Sequence, residues 1–130
     1  MEKTIATATA IDETADCAAQ LQDAIATLKT TTDALLAAMS TQDIDMALSN
    51  SVKYLDLFGN VVIAWLWLKQ GVVASAALQQ QPHQADANFY RGKLQAMRYF
   101  FHFELTEIDA WAKLLQSLDS TCYDMQPAWF

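Results

Sequence analysis

The sequence predicts an all-α fold, an antiparallel bundle of three long helices, and three observations predict it. Apolar residues make up 53% of the 130 positions, yet there are only three glycines and two prolines. An all-β chain needs a turn about every 8–12 residues and would lack the residues to make them. Much of the apolar content is alanine and leucine, which favour helix, and it recurs at spacings of three and four. The length suits one domain with a core of useful size. Three segments follow: a lead-in over residues 1–10, a helical bundle over 11–118, and a docking tail over 119–130.

Helix 1 is expected over about 11–39. Thr9 and Asp12 have capping-box spacing. Ala18, Leu21, Ile25, Leu28, Thr32, Leu35 and Met39 then form a heptad stripe with one polar interruption. Gln22, Asp23, Lys29, Thr30 and Asp33 make the opposite, solvent-like face. Ser40 and Thr41 with Asp43 are expected to end this helix and cap the next.

Helix 2 is expected over about 42–80, uninterrupted by proline. Its inward stripe reads Leu48, Val52, Leu55, Phe58 or Gly59, Val62, Trp65 or Leu66, and Val72 or Val73. A second stripe, Tyr54, Leu57, Val61, Ala64 and Leu68, lies beside it. Pro82 stops the helix, because proline disfavours helix at the residue before it. Helix 3 is expected over about 86–118, with Asp86 as a cap. Leu94, Met97, Phe101, Ile108, Trp111, Leu115 and Leu118 follow a heptad, with Glu104 in the remaining core slot. The tail is read as non-helical, because DSTCYDM is turn-prone and Pro127 precedes a terminal Ala-Trp-Phe. Short connections make sequential helices antiparallel neighbours.

Charge excludes several functions. The net charge is −7, and the eight lysines and arginines form no cluster. Such a surface repels phosphates, so nucleic acid and anionic membranes are not expected partners. The longest unbroken apolar run, Val61–Leu68, has eight residues. A membrane span needs about 20, so no transmembrane segment is expected. MEKTIATATA has no apolar signal region, and Cys17 and Cys122 form no disulfide framework or metal spacing. A reduced, cytoplasmic setting is the expectation.

Glu104 is the most suggestive polar residue. A carboxylate in a core slot needs partners or takes up a proton. The expected register puts it level with Asn60 and puts Arg98 level with Trp67, so Asn60, Glu104 and Arg98 are read as a buried polar clamp. A catalytic role is the weaker reading, because no second acid, base or nucleophile falls at that level. Gly59, Gly71 and Gly92 sit inside helices, and Gly71 and Gly92 read as points of close helix approach. His83 and His102 lack Glu-x-x-His spacing, which argues against a di-iron bundle. Met39, Met46, Met97 and Met125 read as core filler. No catalytic, cofactor-binding or metal-ligating residue is assigned.

The aromatics exceed what three helices can hide. A lone bundle would expose a patch larger than soluble monomers carry. The expected interface comprises Tyr54, Leu57, Val61, Trp65, Trp67 and Leu68 on helix 2. Phe89, Tyr90, Tyr99, Phe100 and Phe103 on helix 3 join it, with Trp129 and Phe130 in the tail. A two-fold homodimer is the simplest occupant.

Three strings carry a resemblance: YLDLFGNVVIAWLWLKQ (54–70), FYRGKLQAMRYFFHFEL (89–105) and CYDMQPAWF (122–130). In this order they resemble the C-terminal extension domain of certain bacterial acyl-CoA dehydrogenases, over about residues 10–130. The resemblance implies a helical module that follows a flavin-binding core. FAD, the acyl-CoA pocket and the catalytic glutamate would then lie in that core, and no cofactor in this chain. The implied role is a non-catalytic accessory domain serving self-association or docking on the dehydrogenase core, in a parent that dehydrogenates acyl-CoA in fatty-acid catabolism. The alternative is a binding module for an acyl chain or acyl-CoA in the groove between helices 2 and 3.

Overall fold

A computed structural model describes residues 1–41 and 44–130. Gln42 and Asp43 lie outside the described residues, and so does the cap expected at Asp43. No strand occurs among the described residues. The helices are α1 (Glu2–Thr9), α2 (Asp12–Thr41), α3 (Ile44–Leu48), α4 (Ser51–Gln79), α5 (Gln84–Tyr99) and α6 (Glu107–Gln116). A π-helical turn, Phe100–Glu104, joins α5 to α6, and a short 3₁₀ turn covers Pro127–Trp129 of the expected non-helical tail.

The lead-in is a correction: residues 2–9 form α1, which packs on α2 and α4. Thr14 Oγ1 donates to Ala8 O at 2.8 Å, and Trp65 Nε1 donates to Thr4 Oγ1 at 2.9 Å. Tertiary contacts override the weak helix propensity of its threonines. Thr9 caps nothing, because its hydroxyl bonds back to Ile5 O.

Helix 2 is also corrected. The chain breaks at Ser49–Asn50 between α3 and α4. Ser49 Oγ donates to Met46 O at 2.8 Å, and Asn50 Nδ2 donates to Asp119 O at 2.8 Å. Serine and asparagine side chains compete with the helix ladder in this way. Gln81, at φ 52, ends the run before Pro82.

α4 lies against α2, α5 and α6. Its direction relative to α2 follows from two contacts. Gly71 faces Thr14, while Tyr54 Oη and Thr32 Oγ1 share a hydrogen bond of 2.9 Å. Residue numbers rise on one helix as they fall on the other, so the two run in opposite directions. Gly71 also faces Met97, and Lys53 faces Trp111, so α4 likewise opposes the α5–α6 arm. Gln116 Nε2 donates to buried Thr31 Oγ1 at 2.9 Å, which ties α6 to α2.

The core is Leu21, Leu57, Val61, Leu68, Met97, Phe101 and Leu115, all essentially inaccessible to solvent, with alanines between them. Each such large side chain contributes about 1.5–3 kcal/mol by leaving water. Glu104 is not among them. The π turn adds a residue to the helix, with Leu105 N donating to Phe100 O at 2.9 Å. The added residue carries Leu105 into the buried slot and turns Glu104 outward. The buried series becomes Phe101, Leu105, Ile108, Ala112 and Leu115 in place of the strict heptad. Trp111 is half-buried, and Leu118 leaves the helix at φ 52.

The accessible surface is 8249 Å². A compact monomer of 14.5 kDa is expected to expose about 6,900 Å². The chain therefore shows about 1,400 Å² more surface than its mass requires.

Candidate functional site

Both α4 and the tail over 121–130 expose large apolar side chains. α4 is apolar all round, so its periodicity marks two candidate inward faces and does not choose between them. The structure chooses the opposite one to that expected. Leu57, Val61 and Leu68, assigned to the interface, are fully buried. Much of the stripe read as inward is exposed: Val52 at 68%, Leu55 at 66% and Val73 at 64%, with Leu48, Phe58 and Leu66 also open, whereas Val62, Trp65 and Val72 are half-buried; Ile63, outside that stripe, is open too. On a helical wheel, residues 52, 55, 56, 59, 62, 63, 66, 70 and 73 lie within about 60° of Gly59, with the core stripe opposite. Asp56, at the edge of this arc and paired with Lys53, is the one charged residue on it over about 32 Å of helix.

α4 is also long and apolar enough to cross a membrane by length and composition, which the unbroken-run criterion missed. Its apolarity has a simpler cause in this fold. One side is buried under α2, α5 and α6, and the other is bare.

The remaining interface residues divide. Tyr54, Trp65, Trp67, Tyr90 and Phe100 are half-buried and packed on the core. Phe89, Tyr99, Phe103, Trp129 and Phe130 are exposed, and Tyr99 stacks on Phe103 with ring centroids 4.8 Å apart. Lysines cover the half-buried indoles. Lys53 Nζ lies 5.5 Å from Trp111, Lys69 5.1 Å from Trp65 and Lys93 5.5 Å from Trp67. Such stems shield an aromatic face while the ammonium stays wet. Lys93, not Arg98, is therefore the cation at Trp67.

The expected clamp does not assemble. Glu104 and Arg98 are exposed. Asn60 is half-buried, and its Oδ1 is buried without a hydrogen-bond partner among the described residues. The register behind the clamp assumed an unbroken α-helix, and the π turn removes that assumption. Of the paired glycines, only Gly71 marks a close approach. A Cβ there would run into Met97 Sδ, whereas one at Gly92 or Gly59 would meet nothing within 4 Å.

Several grooves flank α4. One, about 350 Å³, lies between the end of α4 and the start of α5, lined by Lys69, Val73, Phe89, Tyr90 and Lys93. Another, about 150 Å³ and almost wholly apolar, lies under α3, with Leu35, Met39, Leu48 and Tyr54 in its wall. Among the described residues, no three His, Cys, Asp or Glu are gathered to hold a metal ion. Burial raises the Cys17 thiol above its usual pKa, Arg98 partly offsets this, and Asp16 adds to it. Cys17 is thereby kept protonated and unreactive at neutral pH.

The chain matches the family described as "Acetyl-CoA dehydrogenase C-terminal like" over residues 1–126. It belongs to that family. A curated relative is the broad-specificity linear acyl-CoA dehydrogenase FadE5 of Mycobacterium tuberculosis, 29% identical over 80 residues. That match covers 62% of this chain and 13% of the relative, so the chain spans a small part of its length. No solved structure matches.

Proposed function

We propose that this chain is the accessory helical domain of an acyl-CoA dehydrogenase-like flavoprotein, serving self-association or docking on the dehydrogenase core. The observation that carries it is the bare outer face of α4 in a chain of this family. The parent activity would be α,β-dehydrogenation of an acyl-CoA thioester in fatty-acid catabolism, in the cytoplasm. Two unpaired cysteines suit that reducing compartment.

FAD would belong to the core. The residues present here do not fit it. The groove beside α5 is walled by side chains of α4 and α5, with no glycine-rich turn and no helix N-terminus aimed in to hold a diphosphate. No redox step is assigned to this chain.

Titrating the chain into a separately produced dehydrogenase core tests the reading, with co-elution and heat as readouts. Binding to the core or a stable dimer is expected, with no acyl-CoA oxidation by the chain alone. A monomer at about 50 µM that also ignores the core would end the proposal.

A second reading rests on the groove beside α5. Its apolar wall between Lys69 and Lys93 suits an amphiphile with an acyl chain and an anionic head. A ligand of that kind would raise the melting temperature by mass action. No shift with fatty acids or acyl-CoAs of any chain length removes it.

A further inference from the structure

We propose that the outer face of α4 is a homodimer seam in which two copies pair α4 against α4, antiparallel, about a two-fold axis between Val62 and Ile63. This rests on the self-association reading above and gives it a surface and a register.

Gly59 is the first reason. A glycine inside a helix is unfavourable unless something uses the space it leaves. Gly71 is used in this way by Met97 and Thr14. Gly59 is not, since a Cβ there would meet nothing within 4 Å of this chain. The vacancy lies at the centre of the bare face, diametrically opposite the core stripe.

Self-complementarity is the second reason, and it selects a second copy over an unrelated partner. An isologous seam needs each projection and its matching hollow at equal distances from one point on the same face. With the axis between Val62 and Ile63, Gly59 lies level with Leu66 of the second copy, and the match is made twice. Leu66 is 44% exposed and otherwise uncovered. Val52 then lies level with Val73, Leu55 with Gln70, and Val62 with Ile63. These four levels are uncharged, and at the edge of the face Asp56 falls level with Lys69 of the second copy. Lys53 and Asp56 are already paired on the flank at 3.1 Å, and Lys69 rests on Trp65, so no lone charge enters the seam.

Area is compatible with this. A stable interface buries about 800 Å² on each partner, and the chain as a whole carries about 1,400 Å² of surplus surface, to which the exposed tail over 121–130 also contributes. The register of α4 against the α5–α6 arm also sets the stacked Tyr99 and Phe103 level with the axis, available to widen the seam.

The test is site-directed cross-linking of the full chain with a short bismaleimide at about 50 µM. Cys122→Ser removes the exposed thiol, and Cys17 is buried. Val62→Cys in this background is expected to cross-link to a dimer. Val52→Cys is not, because its two copies would lie about 32 Å apart along the seam. Gly59→Leu is expected to weaken the dimer about tenfold or more by filling the hollow. Gly59→Leu with Leu66→Gly, which exchanges projection and hollow, is expected to recover it. A dimeric wild-type chain that cross-links at Val52 and not at Val62 would overturn this seam while leaving self-association standing. A monomeric wild-type chain would overturn both the seam and self-association, leaving only docking on a core.

Discussion

The three glycines occupy similar helical settings and do different work, and only their neighbours reveal it. At Gly71 a methyl group would strike Met97 and press on Thr14. Gly71→Ala is therefore expected to destabilise the fold by about 1–3 kcal/mol through overpacking. Gly92 is exposed with open space around it, so Gly92→Ala is expected to stabilise by up to about 1 kcal/mol. Urea unfolding of the two variants would check both signs. The cysteines differ similarly. Cys122 is expected to react with a thiol reagent within seconds and Cys17 only on unfolding, and two fast thiols in the native chain would contradict that. Because burial raises the Cys17 pKa, its contribution to stability is complete at neutral pH. It declines as pH rises past the ordinary thiol range. None of these distinctions is legible in the sequence, where a glycine or cysteine carries no mark of its surroundings.

Elements were more legible than their interruptions. The regular runs Leu21 to Met39 and Leu94 to Phe101 lie in helices as expected, because apolar spacing reports directly on a helix face. The π turn left no such signal. It shows only as a polar residue, Glu104, in an apolar slot with leucine next to it. A register shift, which the sequence reading did not weigh, is the alternative to a buried acid. The two readings make opposite predictions. Leu105→Ala is expected to cost about 2–5 kcal/mol, and Glu104→Ala less than about 0.5. A larger loss at Glu104 in thermal or denaturant unfolding would restore the buried clamp. The break before α4 had a readable cue in Ser49–Asn50–Ser51, but its cause is a hydrogen bond to Asp119, distant in sequence. α1 was missed for the same reason, since its anchors at Thr14 and Trp65 are tertiary.

At the scale of the whole molecule, the sequence contained the surplus of apolar surface but not its location. α4 is apolar on both faces, so a wheel alone cannot tell core from exterior. The deciding facts are the partners of the other face: Tyr54 on Thr32, Gly71 against Met97, and Leu57, Val61 and Leu68 in the core. The exposed face then falls on Val52, Leu55, Leu66 and Val73, residues the sequence alone placed inside, and on Ile63, which it assigned to neither stripe. The aromatic part of the expected interface divides: Tyr54, Trp65, Trp67, Tyr90 and Phe100 are half-buried on the core. Phe89, Tyr99 and Phe103 are open, as is the Trp129–Phe130 end of the chain. Ser75 supplies a check on the interior, because its buried hydroxyl has no partner among the described residues. Ser75→Ala is expected to hold or raise stability by about 1 kcal/mol. The central claim, that the outer face of α4 exists to be covered, is tested most directly by light scattering across about 1–100 µM. The account predicts a mass rising toward twice 14.5 kDa for the wild-type chain. A constant monomer mass over the whole range, from a chain that also fails to bind a dehydrogenase core, would contradict it.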